Sequence, residues 1–445
     1  MNTSRVSAFV GWAVIFLVAL AALSANAFAA GMPVQWNPAQ VAVSPDDSNS
    51  FLLRPGQILV CPGDAADVAR VLNGTGWKNN DTRAYGITLF VKKPDKPETA
   101  AQEVLDTLAY IRKATAKRRQ GPACVAPNHV FVGEAVPATA DAINFMGEPR
   151  IQGGPGSTVR PAFGPKALPK RNALASDGKG ARIAVLDTGM FEHEWLSNVV
   201  RAPYANDVWD VENDGYGDNE SGHGTFIAGL IQQVAPSASI YAVKVLDSHG
   251  VGDDLTVATA MSQLPANVNI VNLSLGGYTE GDQPPMAIAL AMQSQAFNSR
   301  VVLAAAGNHA EKRPFWPAAF GPVVSVGAVE DKEGLWAPAS YSNHGTWVDL
   351  VARGSNLQST FARETTKVAQ GPVIDAKNDP SVSFDGWAEW DGTSFSTPIA
   401  AAMIARTMTR TGTYNAPDAS IKLQLASANA SLAEFPNAKL VDELR

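Results

Sequence analysis

The sequence predicts an α/β protein, with a mostly parallel sheet flanked by helices on both faces and a small α+β unit in front of it. Two observations carry this prediction. In residues 175–445, apolar runs with strand character alternate with helical stretches, as in parallel sheets that are covered on both faces. In residues 51–135, the pattern is strand, helix, strand, helix, strand, which indicates a split βαβ unit.

The elements of the larger region follow from its apolar runs. Strands are predicted at 181–187, 239–247, 268–277, 300–308 and 323–329, and helices at 224–235, 255–265 and 286–299. In such sheets, functional residues collect where the strands end on their carboxyl side.

The smaller region has its own short set of elements. Strands are predicted at 57–61, 85–93 and 128–135, and helices at 64–74 and 98–119. Residues 136–174 are rich in Pro and Gly, which predicts a linker that contains a processing region.

The composition suits a globular protein of two or three domains. The chain has 445 residues, of which 46% are hydrophobic and 17% charged, and its formal net charge is −7. Because there is no basic surplus, we expect no nucleic-acid partner.

Residues 1–29 are predicted to be a cleavable signal peptide. Arg5 precedes an apolar run over residues 9–23, and small residues at A-x-A spacing allow cleavage after Ala27 or Ala29. An uncleaved membrane anchor is the alternative, but the A-x-A site favours cleavage. We therefore expect a secreted or periplasmic protein without a stable membrane anchor, with residues 30–50 extended.

The two cysteines, Cys61 and Cys124, both lie in the smaller region. Export permits a disulfide between them. Two unpaired thiols are the alternative, and the bridge is slightly favoured.

Two polar residues mark the expected carboxyl edge of the sheet. Asp187 ends a strand and is followed by Thr188-Gly189, so it either orients another side chain or caps its own turn. His223 opens a helix between two glycines, which leave room for access.

Two further strand ends are candidates for binding. The amide of Asn308 can donate to a developing oxyanion, or the residue simply occupies a Gly-Asn turn. The backbone of Ser274, Leu275 and Gly276 follows another strand and can pair with an extended peptide.

The stretch DGTSFSTPIAAAMIA, residues 391–405, leads a polar turn into an Ala-rich helix. Ser and Thr favour helix caps, and Pro favours the first turn. The stretch alone is therefore either a capped helix or a nucleophile at a helix N-terminus. A serine nucleophile needs a histidine and a carboxylate, and Asp187, His223 and Ser394 supply them in the order Asp, His, Ser.

Together these motifs resemble the subtilisin-like serine proteases. The resemblance covers about residues 175–435 and rests on VLDTGM, SGHGTFIAG, NLSLGG, AAAGN, WPAAF, ASYSNHG and GTSFSTPIAA. The chain order Asp, His, Ser is the one known for subtilisin.

The resemblance implies the role of each site residue. Ser394 is the nucleophile, His223 its general base and acid, and Asp187 the group that orients the imidazole. The side-chain amide of Asn308 and the backbone N–H of Ser394 form the oxyanion hole. Ser396 is interpreted as a cap. The substrate's P1 pocket is lined by Ser274, Leu275, Gly276, Ala305, Ala306 and Gly307.

Residues 51–135 are similar to the prodomains of such proteases, which assist folding and inhibit through their C-terminal tail. An accessory domain that stays attached is the alternative. The prodomain interpretation predicts self-cleavage between Glu134 and Ala175.

No cofactor is expected for the chemistry. The acidic segment 210–221 nearly matches a calcium loop, with Asp210, Glu212, Asp214 and Gly215 at suitable offsets but Ser221 at the closing position. A solvated acidic loop is favoured over a structural calcium site. The same acids can instead bias the site toward basic substrate residues.

The sequence therefore predicts an exported serine endopeptidase that acts through an acyl-enzyme and is made as a self-processing zymogen. Its partners are protein or peptide substrates and its own prodomain as an intramolecular inhibitor. A catalytically impaired relative that binds peptides is the alternative. An esterase is less favoured, because it would need G-x-S-x-G and the order Ser, Asp, His.

Overall fold

The computed structural model describes residues 41–45, 49–133, 159–162, 164, 172–211, 213–367 and 380–441. The predicted signal peptide, most of segment 30–50 and most of the 136–174 linker lie outside these residues. Within the described ranges, no helix combines the length and the hydropathy that crossing a membrane requires.

The N-terminal unit is an antiparallel sheet with two helices. Its elements are β1 (Ala42–Val43), β2 (Leu52–Val60), α1 (Ala65–Val71), β3 (Lys78–Thr82), β4 (Thr88–Val91), α2 (Ala100–Thr115) and β5 (Val125–Val132). The strand order is β5-β2-β4-β3, with β1 beside β2. The predicted split βαβ pattern is confirmed. Strand β3 was not predicted, because its sequence KNNDT is exposed throughout and has no apolar alternation.

Cys61 and Cys124 form a disulfide with their Cα atoms 5.4 Å apart. The backbone N–H of Cys61 also donates to the carbonyl of Cys124 at 3.1 Å. The predicted bridge is confirmed, and it ties the end of β2 to the start of β5.

The C-terminal unit is built on a nine-stranded sheet. After a short strand β6 (Arg160–Pro161), its strands are β7 (Arg182–Asp187), β8 (Val199–Arg201), β9 (Ser239–Lys244), β10 (Val251–Asp253), β11 (Ile270–Leu273), β12 (Val301–Ala305), β13 (Val324–Lys332), β14 (Leu335–Pro338), β15 (Leu350–Arg353), β16 (Leu357–Thr360), β17 (Thr365–Lys367), β18 (Ser381–Ser383), β19 (Trp387–Trp390) and β20 (Lys439–Val441). Its helices are α3 (His223–Val234), α4 (Asp254–Ser262), α5 (Met286–Met292), α6 (Thr393–Thr411) and α7 (Ala416–Ala426).

The main sheet is parallel apart from one edge hairpin. Its order is β20-β15-β13-β12-β11-β7-β9-β8, and only β14 pairs antiparallel, with β13. Both faces are buried, as the sequence predicts. Ile183 and Val185 of β7 pack in the cluster that contains α3 and α6. Ala184 and Leu186 pack in the cluster that contains α4 and α5. This alternation is the period of two that a strand covered on both faces requires.

The structure corrects several predicted bounds. The helix predicted at 286–299 ends at Met292 and gives way to a single 3-10 turn, Gln295–Phe297.

Several strands were not predicted from the sequence. They are β10, the strands at both ends of the main sheet, and the small sheets β16-β19-β6 and β17-β18. These strands are short, and what defines them is pairing with residues far away in the chain.

The two units share a sheet as well as a core. Strand β10 pairs antiparallel with β5 of the N-terminal unit. Leu59, Leu89 and Phe131 of the N-terminal sheet pack in the same cluster as α4 and α5. A buried ion pair joins the units, with Arg54 Nε 2.9 Å from Asp253 Oδ2.

We expect the double variant Cys61→Ser/Cys124→Ser to destabilise the N-terminal unit by about 2–4 kcal/mol, because the bridge removes the loop-closure entropy of a long loop in the unfolded chain. The bridged residues are 63 positions apart. Amide hydrogen exchange measures this in the full chain, and peptides from the main sheet provide the internal control. Equal protection of β2 and β5 in the variant and the parent would contradict the expectation.

Candidate active site

Asp187 and His223 meet at the carboxyl edge of the main sheet. Asp187 is the last residue of β7 and His223 the first of α3. The Nδ1 atom of His223 lies 2.8 Å from Oδ1 of Asp187, and both residues are 1% exposed. With a carboxylate at Nδ1, that nitrogen carries the proton and Nε2 is left to accept one.

The glycines around His223 allow this close approach. A Cβ on Gly224 would lie 2.1 Å from the carbonyl oxygen of Gly189, and one on Gly222 would lie 2.4 Å from the ring of Phe361. Gly222 also has φ +87°, which disfavours other residues. The sequence suggested that these two glycines leave room for access to His223. In the structure they instead allow the first turn of α3 to pack closely against its neighbours.

Ser394 lies beside this pair in the first turn of α6. The ring of the next residue, Phe395, packs against the ring of His223 at a centroid distance of 5.1 Å. The structure thus pairs Asp187 with His223 and places the residue after Ser394 against the imidazole. The Ser394 hydroxyl, however, donates to the carbonyl of Ser274 at 3.3 Å rather than to His223.

Ser274 and Pro398 hold the first turn of α6. Pro398 lacks the N–H that would bond to the carbonyl of Ser394 four residues earlier. The hydroxyl of Ser274 donates to that carbonyl instead, at 2.6 Å, and itself accepts from Asn272 Nδ2 at 2.9 Å. Pro398 therefore frees an acceptor through which β11 positions the turn that carries Ser394.

The prediction that Ser396 caps α6 is wrong. The helix begins after Gly392 without a side-chain cap. The Ser396 hydroxyl instead donates to the carbonyls of Ala352 and Arg353, at 3.1 and 3.2 Å. It thus ties α6 to β15, because a buried hydroxyl in mid-turn needs an acceptor.

Asn308 is oriented by the start of α6. Its Oδ1 accepts from the backbone N–H of Thr393 at 3.0 Å and from the Thr393 hydroxyl at 2.9 Å. Nδ2 is the other polar atom of this amide, and it lies 3.3 Å from where a Cβ on Gly392 would stand. This arrangement places an amide donor beside Gly392, two residues before Ser394.

The other predicted binding residues fall into two groups. Ala305, Ala306 and Gly307 are buried at the end of β12, and Gly307 N donates to the Thr393 hydroxyl at 3.2 Å. Leu275 packs in the core cluster with Phe131. Their predicted place in a P1 pocket remains a prediction.

A segment of the N-terminal unit lies along Gly276. Val132 and Gly276 exchange two backbone hydrogen bonds, at 2.9 and 3.0 Å, and Gly133 N donates to Gly250 O at 2.7 Å. Residues 130–133, here called the tail, thus lie between β10 and the segment after β11. Of the three residues predicted to pair with an extended peptide, Gly276 pairs here with the chain's own tail, and substrate binding by residues 274–276 stays a prediction.

Glu220 is a site residue that the sequence analysis did not identify as such. Its Oε2 lies 3.5 Å from His223 Nε2, and its side chain is 1% exposed. Its position three residues before His223, in the turn that enters α3, is the sequence signal that could have found it.

The charge around His223 is strongly negative. Burial alone lowers the pKa of His223, but the carboxylates of Asp187, Glu220 and Asp207 outweigh it and raise that pKa to about 9. Asp207 accepts from Gly222 N at 2.9 Å and from the Thr188 hydroxyl at 2.8 Å, and burial raises its own pKa.

The acidic segment before α3 stabilises its own turn. Asp210 accepts from the amides of Asp214 and Gly215, at 3.2 and 2.8 Å, and Asp214 accepts from Tyr216 N at 2.9 Å. Glu212 lies outside the described residues. Within the described part of the chain, no three His, Cys, Asp or Glu side chains come together as metal ligands.

The fold and the cluster at the carboxyl edge of its sheet define a subtilisin-like α/β protein. The chain belongs to the subtilase family: residues 178–434 match the model of that family, peptidase S8.

Known proteases are similar over this region. The chain is 34% identical over 240 residues to the minor extracellular protease Epr of Bacillus subtilis strain 168, which covers 51% of this chain and 32% of that protein. It is 31% identical over 238 residues to subtilisin Savinase of Lederbergia lenta, with coverages of 51% and 76%. It is 36% identical over 195 residues to a thermostable alkaline protease of Halalkalibacterium halodurans, with coverages of 41% and 50%. The chain thus spans about a third of the length of the first of these relatives and half of the last.

The fold also resembles that of fervidolysin from Fervidobacterium pennivorans, a keratinolytic enzyme related to subtilisin. The TM-score is 0.58 at 17% identity, and the match covers 93% of this chain and 64% of that one. This likeness concerns the fold alone.

We expect Glu220→Gln to lower the pKa of His223 from about 9 by about one pH unit, because it removes a nearby negative charge while keeping the shape of the side chain. NMR titration of the imidazole nitrogens in the full chain, carrying Ser394→Ala to keep it intact, measures this. Glu333→Gln, at an exposed turn, is the matched control. An unchanged His223 titration in the Glu220 variant would show that this carboxylate does not act on the imidazole.

Proposed function

We propose that this protein is a serine endopeptidase that hydrolyses peptide bonds through Asp187, His223 and Ser394. The observation that carries the proposal is the Asp187–His223 pair at 2.8 Å, beside a serine at the start of α6 in a chain of the subtilase family. Ser394 Oγ attacks the carbonyl carbon of the scissile bond, and His223 Nε2 takes the hydroxyl proton. The same proton then passes to the leaving amine, and water later releases the acyl group by the reverse route.

The remaining site residues support the charge changes of this reaction. Asp187 holds the Nδ1 proton and stabilises the imidazolium as it forms. The oxyanion accepts from Asn308 Nδ2 and from the backbone N–H of Ser394, and the positive end of the α6 dipole favours the same charge. The hydroxyl of Ser394 must first turn from the Ser274 carbonyl, 3.3 Å away, toward His223.

The pairing of the tail indicates which bond is cut first. Val132 pairs antiparallel with Gly276. In an antiparallel register, moving two residues forward on one strand moves two residues back on the other. A substrate strand that pairs with Gly276 as Val132 does would therefore have its second residue downstream of that pair opposite Ser274. Ser274 O is the atom to which Ser394 Oγ donates. The scissile bond is therefore Glu134–Ala135, at the start of the interval that the sequence predicts.

The N-terminal unit acts as the inhibitor after that cut. Its tail occupies the groove between β10 and Gly276, where a substrate strand would lie. Beyond the tail, Arg112 forms a bidentate ion pair with Glu280, at 2.7 and 2.8 Å. Together with the Arg54–Asp253 pair and the shared core, these contacts survive cleavage of a single bond downstream of Gly133, so the enzyme stays latent until the unit dissociates.

We further propose that the protein is exported, by the signal peptide predicted at residues 1–29. The relative from Bacillus subtilis is named as an extracellular protease. The disulfide Cys61–Cys124 supports an oxidising compartment.

We expect the wild type, expressed in an exporting host, to yield a mature chain that begins at Ala135 and digests casein, whereas Ser394→Ala keeps the N-terminal unit and is inert. Intact mass, N-terminal sequencing and casein hydrolysis measure this. Ser396→Ala is the matched control and should process, because the Ser396 hydroxyl donates to carbonyls of β15 and has no role in the proposed reaction. Equal masses without casein hydrolysis for all three proteins would favour a peptide-binding relative.

We expect the processed complex to release the N-terminal unit more readily as the pH falls below about 6.5. His129 is buried at the interface, and its Nε2 accepts from Glu280 N at 3.0 Å. Burial lowers the pKa of His129 to about 3 in the complex, while a released histidine titrates near 6.5. Between these values only the released form binds the proton, so the affinity should fall by about tenfold per pH unit.

Inhibition of the processed enzyme by its N-terminal unit, measured between pH 7 and 5, tests this. His129→Gln keeps an acceptor for Glu280 N but cannot titrate, so it should flatten the pH dependence. A variant with the same dependence as the wild type would exclude His129 as the cause.

A further inference from the structure

Glu220 is held in place by the turn that leads into α3. Its backbone N–H donates to Ser248 O at 2.9 Å, and its carbonyl accepts from His223 N at 3.0 Å. The side chain is 1% exposed. The backbone bonds fix where the side chain starts, so the carboxylate reaches only a small region beside the imidazole.

Two glycines enclose this side chain. A Cβ on Gly250 would lie 2.3 Å from Glu220 Cγ. A Cβ on Gly133 would lie 3.1 Å from both Cδ and Oε2 of Glu220. The first distance shows that the Glu220 side chain packs directly against Gly250, which limits its movement in that direction. The second shows that Glu220 already fills the space into which a side chain at tail position 133 would point.

The tail cannot back away from Glu220 without losing a bond. Gly133 N donates to Gly250 O at 2.7 Å, and Val132 is held by its two bonds to Gly276. The carboxylate also lies 3.5 Å from His223 Nε2, where it faces the imidazolium. Displacing it therefore costs burial and a favourable charge contact, both of which glycine leaves intact.

We propose that Glu220 makes the groove selective for glycine at the second residue before the bond that is cut. This inference rests on the proposed peptidase function, in whose register Gly133 holds that position in the chain's own tail. A Cβ at this position would lie 3.1 Å from Cδ and Oε2 of Glu220, so Glu220 must shift by a few tenths of an ångström to admit any side chain there, and a larger side chain requires a larger shift. The substrates that the enzyme cleaves best therefore carry glycine as the second residue before the scissile bond.

A carboxylate near a subsite can also select basic side chains by charge, as the acidic segment suggested from the sequence alone. The enclosure of Glu220 argues against this here. A lysine or arginine at position 133 also has a Cβ, and that Cβ would lie 3.1 Å from Cδ and Oε2 of Glu220. The charge alternative predicts that Gln at position 220 removes the selectivity. The steric alternative predicts that Gln keeps it and that only a smaller residue relaxes it.

Quenched fluorescent peptides based on the tail, Phe-Val-Xaa-Glu-Ala-Val with Xaa as Gly, Ala, Val or Lys, test the proposal. The enzymes are the self-processed wild type, Glu220→Gln and Glu220→Ala, with Ser394→Ala as the control for contaminating proteases. The readout is the ratio of kcat/KM values within each enzyme, so that an overall loss of activity cancels. If the Glu220 variants fail to fold, the wild-type series alone decides.

For the wild type we expect kcat/KM for the glycine peptide to exceed those for valine and lysine by about tenfold or more, with alanine between them. Glu220→Gln should keep this order, and Glu220→Ala should bring the glycine-to-alanine ratio close to one. Equal cleavage of all peptides, dependent on Ser394, would overturn this inference and leave the proposed function standing. A preference for lysine that Glu220→Gln abolishes would also overturn it. Failure of the processed wild type to cleave any of the peptides would remove the proposed function and this inference together.

Discussion

The burial of the main sheet on both faces is the constraint on which the rest of the structure depends. Strands β7, β11 and β12 are covered by α3 and α6 on one side and by α4 and α5 on the other. Polar side chains are costly inside such a sandwich, so they collect where the strands end. Asp187, Ser274 and Asn308 all follow or end a central strand, and they meet there with the first turns of α3 and α6.

The strand β10 extends this edge into a groove. It pairs with β5, and Gly276 pairs with Val132 on the opposite side of the tail. The N-terminal unit is therefore joined to the main unit by backbone hydrogen bonds in addition to its apolar core. Such pairing depends little on side chains, which is why the proposed substrate strand uses the same groove and the proposed side-chain selection falls to Glu220.

The electrostatics of the site join the imidazole to the groove. Three carboxylates act on His223, and one of them belongs to a residue that also contacts the tail at Gly133. The carboxylate of Glu220 faces the imidazole on one side and the backbone of the bound strand on the other. Glu220 therefore lies between the imidazole and the bound tail.

The sequence by itself determined the parallel sheet, the split βαβ unit and the identity of the cluster, because apolar periodicity and glycine-flanked motifs are local signals. Motif order also pointed to Asp187 and His223, which form a hydrogen bond at that edge, and to Asn308, which bonds to the start of α6, while the catalytic roles of these residues and of Ser394 stay a prediction. It did not determine the short strands β3, β10 and β16–β19, whose formation depends on partners distant in the chain. It likewise missed the bond of Ser396 to β15 and the position of Glu220. Only the tertiary structure decided these, because they follow from which segments pack together rather than from the residues on either side.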